Sequence, residues 1–370
     1  MKVLIVGGGV GGLALAAGLR GHAEVTVVEQ APAWKPVGAA LLLHANAMAA
    51  LGALGVDVST SGAPVENMEI TDAAGRCIGP MRMQDFPEPL RTARVVPRAD
   101  LHAALLAKAG PVRLGVSVCA LEAGRATLTD GTTGEWDVIV GADGIRSQVR
   151  ASVYSDAAPV PNYLGYICWR WIGRDPGVGR MIEMWGRGKR IGLCPIGGGR
   201  LYGFLVANAA AGSTGTETAT ALRERFASFG GPAPEALAGL DEAVIRHDDL
   251  CDLPEVYWGR GPVVLIGDAA HAQTPNLGQG AASALEDAVV LGRALRSGEP
   301  VDLALDRFVR ARTPRVRELQ QLGRRIGAVA QWESPAACAL RDWVAWATPA
   351  SMNARLLVRV VGAGVEAVAG

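Results

Sequence analysis

The sequence predicts an α/β protein, α+β overall, in which a parallel-stranded half is interleaved with a mainly antiparallel β-sheet and followed by a helical tail. Three observations predict it. A short apolar run at the start of the chain stops on glycine. Two later apolar runs end in Asp-Gly and Gly-Asp, at 137–144 and 261–268. From about 156 to 255, strand-like runs alternate with turns. The 370 residues, 49% hydrophobic, suffice for one large domain or two ordinary ones. Thirty-six basic residues balance 36 acidic ones, so the overall charge asks for neither nucleic acid nor an acidic membrane surface. The six cysteines form no CxxC and no framework, which reads as buried thiols in a reducing, cytoplasmic setting. The five histidines show no ligand spacing, so no metal site is expected. The only long apolar stretch, the opening one, is broken by glycines, so no membrane span is expected either. Monomer and homodimer both remain open.

The first element carries the strongest signal. Val3–Val6 is a continuous apolar run, as a strand buried on both faces would be, and it ends at Gly7. Gly7, Gly9 and Gly12 form GxGxxG, helical density follows through Leu19, and Val25–Val28 makes a second strand ending on Glu29. The glycines allow a tight turn, close approach to a pyrophosphate and close helix–strand packing. The helix N-terminus faces the phosphate charge, and Glu29 can accept from ribose hydroxyls. A secretory signal peptide, with Ala14-Leu15-Ala16 as its cleavage site, would leave Glu29 and the second strand unexplained.

Downstream, the strand at 137–141 ends in Asp143-Gly144, followed by Ser147 and Arg150. Another at 262–266 ends in Gly267-Asp268, and Pro275-Asn276-Leu277-Gly278-Gln279-Gly280 then opens a long helical pattern through Leu295. An aspartate at a strand's carboxyl end beside glycine can reach a ribose or ribityl hydroxyl, which makes Asp268 a ribityl candidate. The N–H groups of Gly278, Gln279 and Gly280 start a helix and are expected to point outward unpaired. With GxGxxG, these segments resemble the three ordered fingerprints of the single-component FAD-dependent aromatic hydroxylases, the para-hydroxybenzoate hydroxylase-like group. The resemblance spans roughly residues 1 to 320 and implies a Rossmann-like FAD-binding domain. By that resemblance Arg98, in Val96-Pro97-Arg98, lies near the FAD pyrophosphate. Asp143 and Pro275 join the cofactor set, and the loop from Lys35 to Ala40 is the mobile segment flanking the flavin.

The dispersed motifs make the domains interleave. The FAD-binding domain is expected over 1–63, 93–155 and 256–330, the substrate domain over 64–92 and 156–255, and a C-terminal helical segment over 331–370. The resemblance further implies that NADH or NADPH reduces FAD, that dioxygen adds at flavin C4a, and that the hydroperoxide hydroxylates a small aromatic or heteroaromatic substrate. No catalytic side chain is singled out, because the chemistry centres on the flavin. Ser147 and His271 lack the setting of a triad. Arg190 and Tyr202, in strand-like runs similar to the FAD-dependent urate hydroxylase branch, are candidate substrate contacts. The competing reading makes Arg190 an edge-strand charge and Tyr202 a cross-strand packing residue. Two other activities stay open: a flavin-dependent reductase without oxygen transfer, and a halogenase suggested by Trp169-Arg170-Trp171-Ile172, whose signature proline is replaced by Gly173. A flavin-bound module without turnover is the remaining alternative.

Overall fold

The computed structural model describes the chain except residues 35–38, 123, 156–157, 214–216 and 242–244 and the side chain of Asn353. Lys35–Gly38 of the expected flavin-flanking loop therefore lie outside the described residues. The helices are α1 (Val10–Leu19), α2 (Ala45–Ala53), α3 (Arg98–Ala109), α4 (Gln148–Tyr154), α5 (Ala219–Arg225), α6 (Ala233–Ala238), α7 (Asp268–His271), α8 (Gly280–Leu295), α9 (Val301–Ala330), α10 (Pro335–Ala347) and α11 (Ala350–Ala369).

Lys2–Val6 is the centre of a six-stranded sheet, in the order 259–260, 263–265, 138–141, 2–6, 24–29, 112–114. All pairs are parallel except the short edge strand Gly259–Arg260. Its three central strands, at 2–6, 138–141 and 263–265, carry apolar runs because both faces are covered. Val3 and Ile5 pack into a layer with residues of α1, α3 and α8, whereas Leu4 and Val6 pack toward Val118, Ala126 and Leu128 of a small antiparallel sheet. Asp143 and Asp268 follow the ends of adjacent strands beside the GxGxxG turn, at the carboxyl edge where open α/β sheets bind ligands.

A second, seven-stranded sheet runs in the order 246–252, 162–174, 200–208, 189–197, 181–185, 67–72, 77–82. It is antiparallel except for the parallel pair Met181–Trp185 with Asn67–Asp72. Alternation along its strands divides its side chains between two faces. Trp169, Trp171, Leu205 and Ile191 enter a core shared with Leu222, Phe226 and Leu237 of the α5–α6 region. The other face carries Tyr166, Arg190, Tyr202 and Phe204 and turns toward the rest of the molecule. The start of α5 is fixed by Thr218, which caps it by accepting from the Ala221 N–H. The helical tail is α10 and α11, separated at Thr348-Pro349. The cysteines differ from expectation. Cys168, Cys194 and Cys338 are buried, but Cys77 and Cys119 lie exposed on strands where alternate residues face solvent.

Candidate active site

The three glycines of the first turn do different work. Gly7 has φ +115°, and a Cβ there would sit 2.3 Å from the Ala142 carbonyl oxygen. At Gly12 a Cβ would sit 2.0 Å from the Gly7 carbonyl oxygen. Both positions are closed to any side chain by the packing of turn, strand and helix. At Gly9, which precedes α1, a Cβ would meet nothing within 4 Å. Gly9 thus offers open backbone at a helix N-terminus, as an anion requires. Glu29 braces the same turn: its two carboxylate oxygens accept from the N–H groups of Gly8 and Ala31, both at 2.8 Å. Each oxygen keeps further lone-pair capacity for a hydroxyl.

Asp268 begins α7 and is solvent-accessible although recessed. Burial raises its carboxyl above the usual range, while His271 and Arg98 act to lower it. Arg98 is exposed, acts on Asp268 electrostatically and has no ion-pair partner among the described residues. An unpaired cation, an unpaired acceptor and open glycine backbone fit the pyrophosphate and polyol of a dinucleotide such as FAD. Asp143 also braces the start of a helix. Its Oδ2 accepts from the N–H groups of Gln148 (2.7 Å) and Val149 (3.1 Å), holding the start of α4, and only the buried Oδ1 is unpaired. Burial raises the Asp143 carboxyl, partly offset by the hydrogen bond from Ser147.

The turn before α8 also departs in detail. Gly278 adopts φ +62° and its N–H donates to the Pro275 carbonyl at 2.9 Å, so it is not free. Gln279 and Gly280 open α8, where first-turn N–H groups have no intrahelical acceptor. The Gln279 side chain points inward, fully buried. Its Oε1 accepts from Asn46 Nδ2 at 2.8 Å, and that nitrogen also donates to Glu286 at 2.7 Å. Behind it Glu286 and Asp287 meet Arg312 and Arg315. Arg312 donates 2.7 Å bonds to both acids, Arg315 bonds Glu286, and His271 donates to Asp287 at 2.6 Å. Burial pushes the Glu286 carboxyl up, but the two guanidiniums outweigh it and hold it below the usual range. Asp287 is likewise held down to about 2, by His271 and Arg312 against its burial.

Asn276 joins this turn to the seven-stranded sheet. Its Oδ1 accepts from Arg190 Nη2 at 2.9 Å, and its Nδ2 donates to the Tyr166 hydroxyl (3.2 Å) and the Gly323 carbonyl (3.0 Å). Arg190 is 3% exposed and donates also to Gln331 (2.9 Å) and Glu183 (3.1 Å). Arg190 and Tyr202 share a sheet face but do not meet: Arg190 pairs with Val206, and Tyr202 with Cys194, four residues farther along. Between them the Phe204 ring lies over Gly192, where a Cβ would sit 1.9 Å from it. Tyr202 is buried against Ile172, Cys194 and Phe204 in a cluster that includes Leu42, Leu357 and Val358, and burial raises its phenol.

Comparison with known proteins agrees with this geometry. The family model described as "FAD binding domain" matches residues 1–162 and 255–322. Aurachin C monooxygenase/isomerase of Stigmatella aurantiaca is 36% identical, over 92% of this chain and 93% of its own. The 2-heptyl-3-hydroxy-4(1H)-quinolone synthase of Pseudomonas aeruginosa is 35% identical over 97% of both chains. The crystal structure of Klebsiella pneumoniae HpxO complexed with FAD and uric acid superposes with a TM-score of 0.89 at 27% identity, covering 98% of this chain and 97% of that one. The chain belongs to the FAD-dependent aromatic hydroxylases.

This hydroxylase is an FAD-dependent monooxygenase with the expected α/β fold and helical C-terminal region. The two tryptophans of the halogenase-like segment lie in the outer core away from the Arg190 face, and Trp171 fills the space over Gly203. Sequence reasoning passed over Asn276, Tyr166 and Asn46, the residues that tie the α8 turn to its surroundings. It also passed over Trp34, whose ring covers Gly8, and His102, whose Nε2 lies 3.0 Å from the Gly8 carbonyl oxygen. Asn276 and Asn46 are single polar residues within motifs read for their glycines and apolar spacing, so only a pairing could have revealed them.

Proposed function

We propose that this hydroxylase takes two electrons from NADH or NADPH and places one atom of dioxygen on the ring of a fused nitrogen heteroaromatic. The second oxygen atom leaves as water. The ring is 4-quinolone-like in preference to an anionic purine. The observation that carries the substrate class is the engagement of Arg190: all three of its nitrogens already have protein partners, so the sheet face offers no free cation. Arg170, on the same face beside Tyr202, is paired with Asp248, and the other neighbours are apolar or aromatic, among them Ile172, Cys194, Tyr202 and Phe204. Two relatives at 35–36% identity, one of them named a quinolone synthase, support the same preference over the urate hydroxylases at 33–34%.

Bound FAD supplies the oxygen chemistry. Gly9 and the start of α1 receive the pyrophosphate, with Arg98 as its cation and Glu29 at the ribose. Asp268 accepts from the ribityl chain. The N–H groups opening α8 would favour negative charge on the bound ring. The sheet face then holds the substrate ring in place and keeps water from it.

The test is turnover under ¹⁸O₂ with a panel of a phenol, a 2-alkyl-4-quinolone and urate, each with NADH and NADPH. The expected result is faster nicotinamide oxidation with the quinolone and one labelled oxygen in its product. Preference for urate would overturn the substrate class. Nicotinamide oxidation without label in any product would overturn the monooxygenation.

A further inference from the structure

α10 is built inside out. Its charged residues, Arg341 and Asp342, sit on the inner face with Cys338. Arg341 is 4% exposed, donates to the carbonyls of Gly186 (3.1 Å) and Ala330 (3.2 Å), and lies over the Trp185 ring. The outer face carries Leu340, Trp343, Val344 and Trp346, with Trp343 61% and Trp346 68% exposed. Trp332, Met352 and Leu356 extend the patch on either side, so most of the large exposed apolar side chains among the described residues lie between 332 and 356. Large rings left this open are the kind of apolar surface that marks an interaction site.

We infer that this face docks on an anionic phospholipid surface, with α10 and the first turns of α11 lying in the headgroup plane. The charge around the patch argues for lipid over a second copy. Between residues 334 and 365 the only acidic residue is Asp342, which is bound to Arg341. Arg355 is exposed with no ion pair among the described residues, and Arg359 stands one turn beyond it, paired with Glu318. A twofold copy would bring the same arginines, and the carboxylates nearest the patch are already engaged, Glu318 by Arg359 and Glu333 by Asn208, whereas lipid phosphates answer Arg355 directly. Tryptophan beside basic residues is the composition of helices that lie at the bilayer boundary. No helix among the described residues is long and apolar enough to cross a membrane, so the pair lies on the bilayer. The balanced charge of the whole chain conceals this local excess. Docking would also set the substrate face one helix from the lipid, because Leu357 and Val358 on the opposite side of α11 pack in the cluster that holds Tyr202.

The test is flotation of the full-length, FAD-loaded protein with vesicles of phosphatidylcholine alone and of phosphatidylcholine mixed with phosphatidylglycerol. The parent is expected to float with the mixed vesicles, with a blue shift of tryptophan emission. Trp343→Glu/Trp346→Glu should stay at the bottom with its FAD content and nicotinamide oxidation in solution unchanged. Arg355→Gln should lower vesicle affinity about 5-fold, as expected for one basic residue near an anionic surface. A parent that floats with neither vesicle overturns the inference. So does a parent that sediments as a dimer which the double tryptophan variant dissociates, since the face would then join two copies.

Discussion

Replacing Arg190 with methionine separates two jobs for this residue, holding the turn before α8 and touching the substrate. The guanidinium makes three bonds of 2.9–3.1 Å from a nearly sealed position, and methionine refills most of the volume while leaving three acceptors unpaired. Glu183 is 24% exposed at its side chain and recovers part of its loss from water. Asn276 and Gln331 recover less. The net cost is about 3 kcal/mol. Spread over the unfolding entropy of a chain this long, that lowers Tm by about 4 °C. Asn276 also loses its tie to the sheet, so the turn is freed and FAD binding weakens. The assay is thermal unfolding of the apoprotein together with FAD titration by flavin fluorescence. Asn276→Ala should reproduce the FAD effect with a smaller loss of Tm. If Arg190→Met keeps both Tm and FAD affinity and weakens only substrate binding, the positioning role is wrong and the residue is a substrate contact.

The purified protein should be yellow and release FAD, not FMN, on denaturation, checked by chromatography of the supernatant. Gly9→Ala should leave apoprotein stability unchanged, since a Cβ there meets nothing within 4 Å, yet weaken FAD in equilibrium dialysis; Gly12→Ala should destabilise the apoprotein itself. Asp268→Ala should cost about 1–3 kcal/mol in FAD affinity by leaving a cofactor hydroxyl unpaired, read in the same dialysis. Burial holds His44 down to about 4 from 6.5, so only the unfolded chain takes up that proton as the pH falls through this range. Stability present above pH 6.5 should therefore decline by about 3 kcal/mol toward pH 4, and urea unfolding of His44→Leu should lose that slope.

The parallel sheet was legible because each of its central strands is apolar throughout and each ends on a glycine or an acid with a mechanical reason to be there. Val3–Val6, Val138–Gly141 and Val263–Leu265 are such strands, and they are neighbours in space although about 135 and 125 residues separate them in sequence. The seven-stranded sheet was legible as antiparallel strands but not in its order. Its parallel pair joins Asn67–Asp72 to Met181–Trp185 across more than a hundred residues, and alternation within a strand says which side chains share a face, not which strand lies alongside. For the same reason Arg190 and Tyr202 were legible as strand residues, while their register on neighbouring strands, four residues apart, was beyond the sequence.

The polar interior of the site was least legible, and the reason is electrostatic. Glu286 and Asp287 stand side by side in an otherwise apolar helix, a pattern that ordinarily marks an exposed edge, yet both are fully buried. Neither could be buried alone. Arg312 and Arg315, a turn apart on α9, bring two positive charges to the two negative ones, and Asn46 and His271 take remaining lone pairs. Removing one member would strand a charge, whereas a wholly apolar set of the same volume would pack as well, so stability alone does not require the cluster. Its geometry gives the better reason. Asn46 reaches from Glu286 to Gln279, and Asp287 accepts the Gly267 N–H at 2.9 Å, so the cluster fixes the start of α8 and the start of α7 together. Asp268 and the N–H groups of α8 project from those two starts, and an apolar core would hold neither at a set angle.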